Sequence, residues 1–317
     1  MNSVMKWAFA AALAMSCLAS GATPGRSETV AVLMSDTLTS TTRTLQGAKK
    51  TIEAANPGIE LRTFMIGQSP AGDQAVADSV RSCNPRLVLT IGSTATGIAQ
   101  HHLPQVPIVF AGVMYPVLSG FVQTIQEPGG HITGASLDIP NEVQFRYFKK
   151  IIPGIERIGV LYTANTASLI APARAVARGM GLELHAIEIR DSREIPQVFD
   201  SLALTVQGVW SVADPVLFDP QATRYILLNT LRKNLPFMGF SRYVVESGAL
   251  FALDFDYKAV GIQAGQIANR VLAGEAPASV SVSAADVIWF HYNEKTAQHI
   301  HVTIPDELVA VAKEVYR

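Results

Sequence analysis

The sequence is poor in cysteine, in net charge and in long apolar runs, and each shortage excludes a class of protein. Two cysteines occur in 317 residues, Cys17 and Cys83. Cys17 falls in the leader-like start, so Cys83 is left as the one thiol of the mature chain. It has no internal partner, so the fold stands on packing without a disulfide. A two-thiol racemase mechanism is excluded on the same ground. The formal net charge is −1 and no polybasic run occurs. Nucleic acids and anionic membrane surfaces are therefore not expected as partners. No stretch after the leader reaches the roughly 20 apolar residues that a membrane span needs. The usual catalytic signatures are missing too. There is no G-x-x-x-x-G-K-[ST] phosphate loop, no G-x-G-x-x-G after a strand, no G-x-S-x-G elbow and no H-E-x-x-H. The seven histidines, with pairs at His101-His102 and His299/His301, show no metal-ligand spacing. No metal and no cofactor is expected, and no enzymatic activity.

What is present is apolar residue, 49% of the chain, enough to bury two cores rather than one. Residues 1–22 have the layout of a secretory signal peptide: MNSVMK with one lysine, then WAFAAALAMSCLAS, then Ser20-Gly21-Ala22 at the exit. Ala14-Met15-Ser16-Cys17 is a weak form of a lipoprotein box, with Ala where Leu is usual, so a lipid anchor at Cys17 is the less favoured reading. The mature chain is expected to be periplasmic or otherwise extracytoplasmic.

Strand-like and helix-like segments alternate from residue 28 onward. ETVAVLMS (28–35), IELRTFMI (59–66), RLVLTIG (86–92) and VPIVFAGV (106–113) are apolar runs separated by helical stretches at 41–55, 72–82 and 94–102. Continuous apolar strands alternating with helices define a parallel sheet covered on both faces. The layout restarts at ERIGVLYT (156–163) and continues through LELHAIEI, GVWSVAD and PFMGFS, with helices between. ALFALDFD (249–256) and DVIWFHYN (286–293) read as further strands, 257–273 and 305–316 as helices.

The expected fold class is α/β: two doubly wound, Rossmann-like parallel-sheet lobes joined by a multi-strand hinge. Lobe I is assigned residues 28–133 plus 286–317, and lobe II residues 141–275. Hinge crossings are placed near 134–140, 246–256 and 275–290. Such sheets present the C-terminal ends of their strands to a cleft, where ligands bind.

The loops at those strand ends carry the candidate site. VLTIGSTATGIA (88–99) ends a strand in glycine and small hydroxyls, then opens a helix whose first N–H groups and dipole suit an anionic group. Ser93 and Thr94 add hydroxyl donors there, although Ser93 could equally do no more than cap its own helix. Ser35 and Asp36 follow the first strand, and Tyr115 lies after the fourth. Across the cleft, Tyr162, Asn165 and Ser168 mirror the GSTAT loop, and Asp214, Ser241, Arg242 and Tyr243 follow later strands. Taken singly, each is an ordinary polar turn. Together they offer hydroxyls, amides, aromatics and one arginine, suited to a small polar or aromatic molecule. No acid/base pair stands close in sequence.

Five stretches, in order, resemble one family: RLVLTIGSTATGIA, VPIVFAGVMYPVLSGFV, EPGGHITGASL, IIPGIERIGVLYT and YNEKTAQHIHVTIPDELV. The likeness runs from about residue 30 to 316. It is to the ABC-transporter substrate-binding proteins, a family of solute receptors that includes tryptophan- and tyrosine-binding members. The resemblance implies the type I periplasmic-binding-protein fold, a ligand closed between two lobes, and delivery to an ABC permease by a monomeric receptor. It maps the gripping loops onto Ser93, Thr94, Tyr115, Asn165, Ser168, Asp214 and Ser241. The sequence departs from amino-acid-binding relatives at Tyr115, Ser241 and Tyr243, where those tend to carry Asp; Asp214 is retained. Two other readings stay open: a receptor feeding a membrane signalling kinase, and a two-domain α/β enzyme.

Overall fold

The computed structural model describes residues 28–217 and 219–317. The leader and Cys17 thus lie outside the described residues. The first lobe is built on five parallel strands in the order β2-β1-β3-β4-β5. They are β1 (Thr29–Met34), β2 (Glu60–Met65), β3 (Leu87–Ile91), β4 (Ile108–Val113) and β5 (Ile132–Ser136). Helices α1 (Thr39–Ala55), α2 (Pro70–Ser82) and α3 (Ser93–His102) connect the first four. Every residue of β1 and β3 is buried, which is why TVAVLM and LVLTI are apolar throughout rather than alternating. The edge strand β2 is half exposed and carries Glu60 and Arg62, which pair with each other at 2.7 Å. A charged edge of this kind resists pairing with other chains.

Helix α4 (Asn141–Ile151) leads into the second lobe. There follow β6 (Arg157–Tyr162), α5 (Ile170–Gly179), β7 (Glu183–Glu188), α6 (Ile195–Ala203), β8 (Gly208–Trp210), α7 (Pro220–Arg232), β9 (Phe237–Gly239), α8 (Arg242–Glu246) and β10 (Phe251–Phe255). The chain then forms α9 (Tyr257–Leu272), β11 (Ile288–Asn293), α10 (Glu294–His299), α11 (Asp306–Val311) and β12 (Ala312–Tyr316). The second sheet has seven strands in the order β12-β11-β10-β9-β8-β6-β7. All its neighbours are parallel except β10 and β11, which are antiparallel.

Both doubly wound sheets are as expected, but two segments change lobes. Residues 286–317, assigned to lobe I, complete the second sheet instead. β11 pairs with β10 in the register Phe251↔Tyr292, and Phe290 packs its ring 6.2 Å from that of Phe251. The aromatic residues of DVIWFHYN thereby enter the second core, where Phe148 and Phe251 already meet edge to face at 5.0 Å. The 305–316 helix is also shorter than expected. It stops at Val311, and AKEVY pairs as a parallel strand beside β11.

Conversely α9, assigned to lobe II, belongs to the first core. Its Val260, Ala264, Ile267, Ala268 and Val271 are buried with Ala48 and Ile52 of α1 and with β1, β3 and β4. Gly47 of α1 and Gly261 of α9 face each other so closely that the helix backbones touch. The chain therefore passes between the lobes at 137–140, again between β10 and α9, and a third time between Ser283 and β11. Before the last crossing, Ser283 pairs with the end of β5: Ser136 donates its N–H to Ser283 O at 2.8 Å, and Ser283 returns its own to Gly134 O at 3.0 Å. The two lobes are thus joined by three chain crossings rather than by a single linker.

No helix among the described residues is long and apolar enough to cross a membrane.

Candidate functional site

Between the lobes lies a cavity of about 650 Å³. The loop after β4 supplies Met114, Tyr115, Val117 and Leu118. The crossing segment and the start of α4 supply Leu137 to Asn141 and Gln144. The second lobe contributes Ser168 and Leu169 just before α5, Pro172 in its first turn, Trp210 at the end of β8, Ser211 to Ala213 after it, and Phe240 after β9. Leu253 and Phe255 of β10 complete the wall. The wall is mostly apolar, with a few polar groups set into it, the usual build of a small-molecule site.

Some of that polarity is already used. Trp210 donates its indole N–H to Gln144 Oε1 at 2.7 Å, and Gln144 Nε2 donates to Ile139 O at 2.7 Å. This fixes the indole, which is buried in the second core edge to face with Phe145 at 5.2 Å and borders the cavity. The Ser211 hydroxyl donates to Met238 O at 2.8 Å. Tyr115, Asp138, Asn141 and Ser168 supply the remaining side-chain polarity of the wall.

Tyr115 links the lobes. Its backbone has φ 53°, a left-handed conformation unusual for a residue with a side chain. The turn is held by Asp138, whose Oδ1 accepts the Tyr115 N–H at 2.8 Å. From there the ring reaches the opposite lobe, where the Ala213 N–H donates to the phenol oxygen at 3.2 Å. Burial pushes the phenol up to about 12, so it stays protonated and keeps its own proton to donate.

Of the residues singled out from the sequence, Tyr115 and Ser168 line the cavity; the others are used elsewhere or stand aside. Ser35 Oγ accepts the Ala95 N–H at 3.0 Å, so the start of α3 is capped from the end of the neighbouring strand β1 and not by Ser93. Gly92, with φ 92°, makes this approach feasible: a Cβ there would fall 2.6 Å from Ser35 Oγ. Asp36 Oδ1 accepts from Leu38 N–H at 2.9 Å and from the Thr41 hydroxyl, fixing the entry to α1. Ser93 and Thr94 are exposed at the mouth of α3, off the cavity wall. Asn165 is exposed beside the cavity and Tyr162 packs on the second core.

Asp214 is buried and turned inward on its own lobe. Its Oδ2 accepts from the Thr163 and Thr166 hydroxyls, both at 2.7 Å; Oδ1 accepts the Val216 N–H at 2.9 Å. Burial works to raise this carboxyl, but those hydrogen bonds outweigh it and hold it below the ordinary carboxylate value. It fastens the loop after β6 to the loop after β8, and so positions Ser168 and Ala213. Arg242 and Tyr243 are likewise engaged away from the cavity: the guanidinium lies 4.7 Å from the Tyr243 ring centre and 3.4 Å from Glu314 of β12. Ser241 precedes α8 without contributing a side-chain cap.

Sequence reasoning missed Asp138, Asn141, Gln144 and Trp210, while Phe240 stands on a loop it did place at the cleft. Asp138 sits in SLDIPN, an extended piece read only as a hinge; an acid isolated in an apolar crossing was the available signal.

The two α/β lobes thus enclose an interlobe cavity of a size suited to a small molecule. The chain belongs to the ABC transporter substrate binding protein family, whose profile matches residues 29–316. The tyrosine-binding protein of Clostridioides difficile strain R20291 is 24% identical over 226 residues, a match spanning 70% of this chain and 65% of that relative's length. Among solved structures, the ligand-free, open form of a substrate binding protein with adhesive properties from Clostridium difficile aligns with TM-score 0.76 at 19% identity, covering 91% of this chain and 99% of the other. An ABC domain from Streptococcus pneumoniae in complex with L-Trp aligns with TM-score 0.64 at 20% identity, again over 91% and 99%. The fold is that of type I periplasmic binding proteins.

Proposed function

We propose that this protein is the extracytoplasmic solute receptor of an ABC importer, and that it captures a small molecule with an aromatic body between its lobes. The observation that carries this reading is the apolar interlobe cavity, walled by Leu118, Phe240, Leu253 and Phe255 among others. An aromatic ring gains most from such a surface, through burial and through contact with the Phe240 ring. A sugar would leave most of its hydroxyls without partners there. Because the wall comes from both lobes, a ligand makes its full set of contacts only when they are together, and its binding shifts the population toward closure. The closed form is then the signal read by a membrane permease. The tyrosine-binding and L-Trp-bound relatives support the ring preference, and the signal-like residues 1–22 support export.

A thermal-shift panel on mature protein, freed of ligand by unfolding and refolding, tests the reading. L-tryptophan, L-tyrosine or L-phenylalanine is expected to raise the melting temperature, since ligand at 100 times its Kd adds about 2.7 kcal/mol. Ribose and myo-inositol are expected to leave it unchanged. A shift with the sugars and none with any aromatic compound would overturn the proposal.

A further inference from the structure

The geometry points to Asp138 as the acceptor for a cationic ammonium group of the ligand, so that the receptor takes amines and rejects their deaminated analogues. The inference rests on the aromatic-ligand reading above and assigns to the site a charge that reading leaves open.

Among the described residues, Asp138 is the one acidic side chain on the cavity wall. It stands in the first crossing, between β5 and α4, where both lobes meet the cavity. Its own N–H is held by Ser136 Oγ at 2.7 Å, and its Oδ1 takes the Tyr115 N–H at 2.8 Å. The side chain is therefore fixed in place rather than free to turn to solvent. Among the described residues, no lysine, arginine or histidine forms an ion pair with it. Tyr115 and Asn141, its polar neighbours on the wall, bring no positive charge.

A carboxylate facing an apolar cavity without a cation is costly, and its neutralisation by a partner is correspondingly favourable. Burial already pushes this carboxyl above the ordinary value, the direction expected for an anion lacking a counter-charge. An ionised carboxylate only accepts hydrogen bonds. A ligand ammonium brings charge and donors together, and a charge-assisted bond of this kind is about twice as strong as a neutral one. A ligand carboxylate in the same place would meet like charge.

Three indole probes that differ only at the polar end test this by calorimetric titration: L-tryptophan, tryptamine and indole-3-propionate. The wild-type protein is expected to bind tryptamine at least about ten-fold tighter than indole-3-propionate, a difference of about 1.4 kcal/mol. In Asp138→Asn, tryptamine and L-tryptophan should weaken at least ten-fold, while indole-3-propionate keeps or improves its affinity. Equal weakening of all three would make Asp138 a mere support for the Tyr115 turn and overturn the assignment, with the aromatic reading intact. So would wild-type protein that binds indole-3-propionate as tightly as tryptamine, a comparison that needs no variant to fold. If wild-type protein binds none of the three, nor phenethylamine and 3-phenylpropionate, the aromatic reading fails and the assignment falls with it.

Discussion

Asp214→Ala should lose about 3 kcal/mol or more of folding stability, an effect at the large end for a single substitution. The reason is what it would leave behind. The Thr163 and Thr166 hydroxyls and the Val216 N–H all give hydrogen bonds to this one buried carboxylate. Removing it orphans these donors together with the more distant Thr163 and Leu217 N–H groups, at 3.3 and 3.4 Å, each at a desolvation cost of about 1–3 kcal/mol, softened where water can enter the gap. Asp214→Asn keeps the size and one acceptor, and the threonine hydroxyls can turn to accept from its amide. It should recover much of the loss. Urea unfolding of the three proteins measures this, and equal midpoints for wild type and alanine variant would contradict the role given to Asp214.

The same site sets a pH dependence. The carboxyl is held below its ordinary value in the folded protein, so the unfolded chain takes up its proton first as pH falls. The stabilisation is complete above the ordinary carboxylate value and is lost as pH drops through the lower folded value. Acid unfolding of Asp214→Ala should accordingly show a shallower dependence on pH below about 4 than wild type.

Gly261→Ala is expected to be of similar severity for an opposite reason. In an isolated helix the change would help, by about 1 kcal/mol of helix propensity. Here a Cβ on Gly261 would lie 2.0 Å from Thr44 O, a backbone atom of α1, and 3.0 Å from the Ala48 N–H. Neither neighbour is a side chain that can swing aside. The methyl can be housed only by parting α1 from α9, which opens the contact all along the first core. Overpacking in ordinary cores costs about 1–3 kcal/mol, and a backbone obstacle places this case at or above the upper end. Because α9 begins directly after the second crossing, the shift should also disturb the hinge. A melting temperature equal to or above that of wild type would show that α9 does not pack as described.

These two residues also mark how far the sequence could be read. The run of fully apolar strands and intervening helices specifies two parallel sheets, because buried strands and amphipathic helices have different periods. Lobe membership is not encoded in that way. The α9 residues Ala264, Gly265 and Ala268 would suit either sheet; only the backbone contact with Gly47 and Ala48 of α1 places them. DVIWFHYN reads as a strand from its pattern, but nothing local says that it lies antiparallel to β10. Loop residues were harder still. Ser35, Asp36, Asp214 and Arg242 are polar residues at strand ends, and from sequence a hydroxyl or carboxylate aimed at a ligand looks the same as one capping a helix or tying two loops. Tyr115 and Ser168 do reach the cavity. Asp138 and Trp210 were passed over because one lay in a presumed hinge and the other inside a strand-like run.

The account stands on the interlobe cavity being the place where ligand binds. The most direct measurement is calorimetric titration of L-tryptophan into wild-type protein and Ser168→Trp. Ser168 is exposed on the cavity wall, and an indole there can fill the space without disturbing a core. The account predicts one site in the wild-type protein, a negative heat-capacity change from buried apolar surface, and loss of binding in the variant with its melting temperature preserved. Undiminished binding in Ser168→Trp would contradict it, because the ligand would then have to sit somewhere else on the molecule.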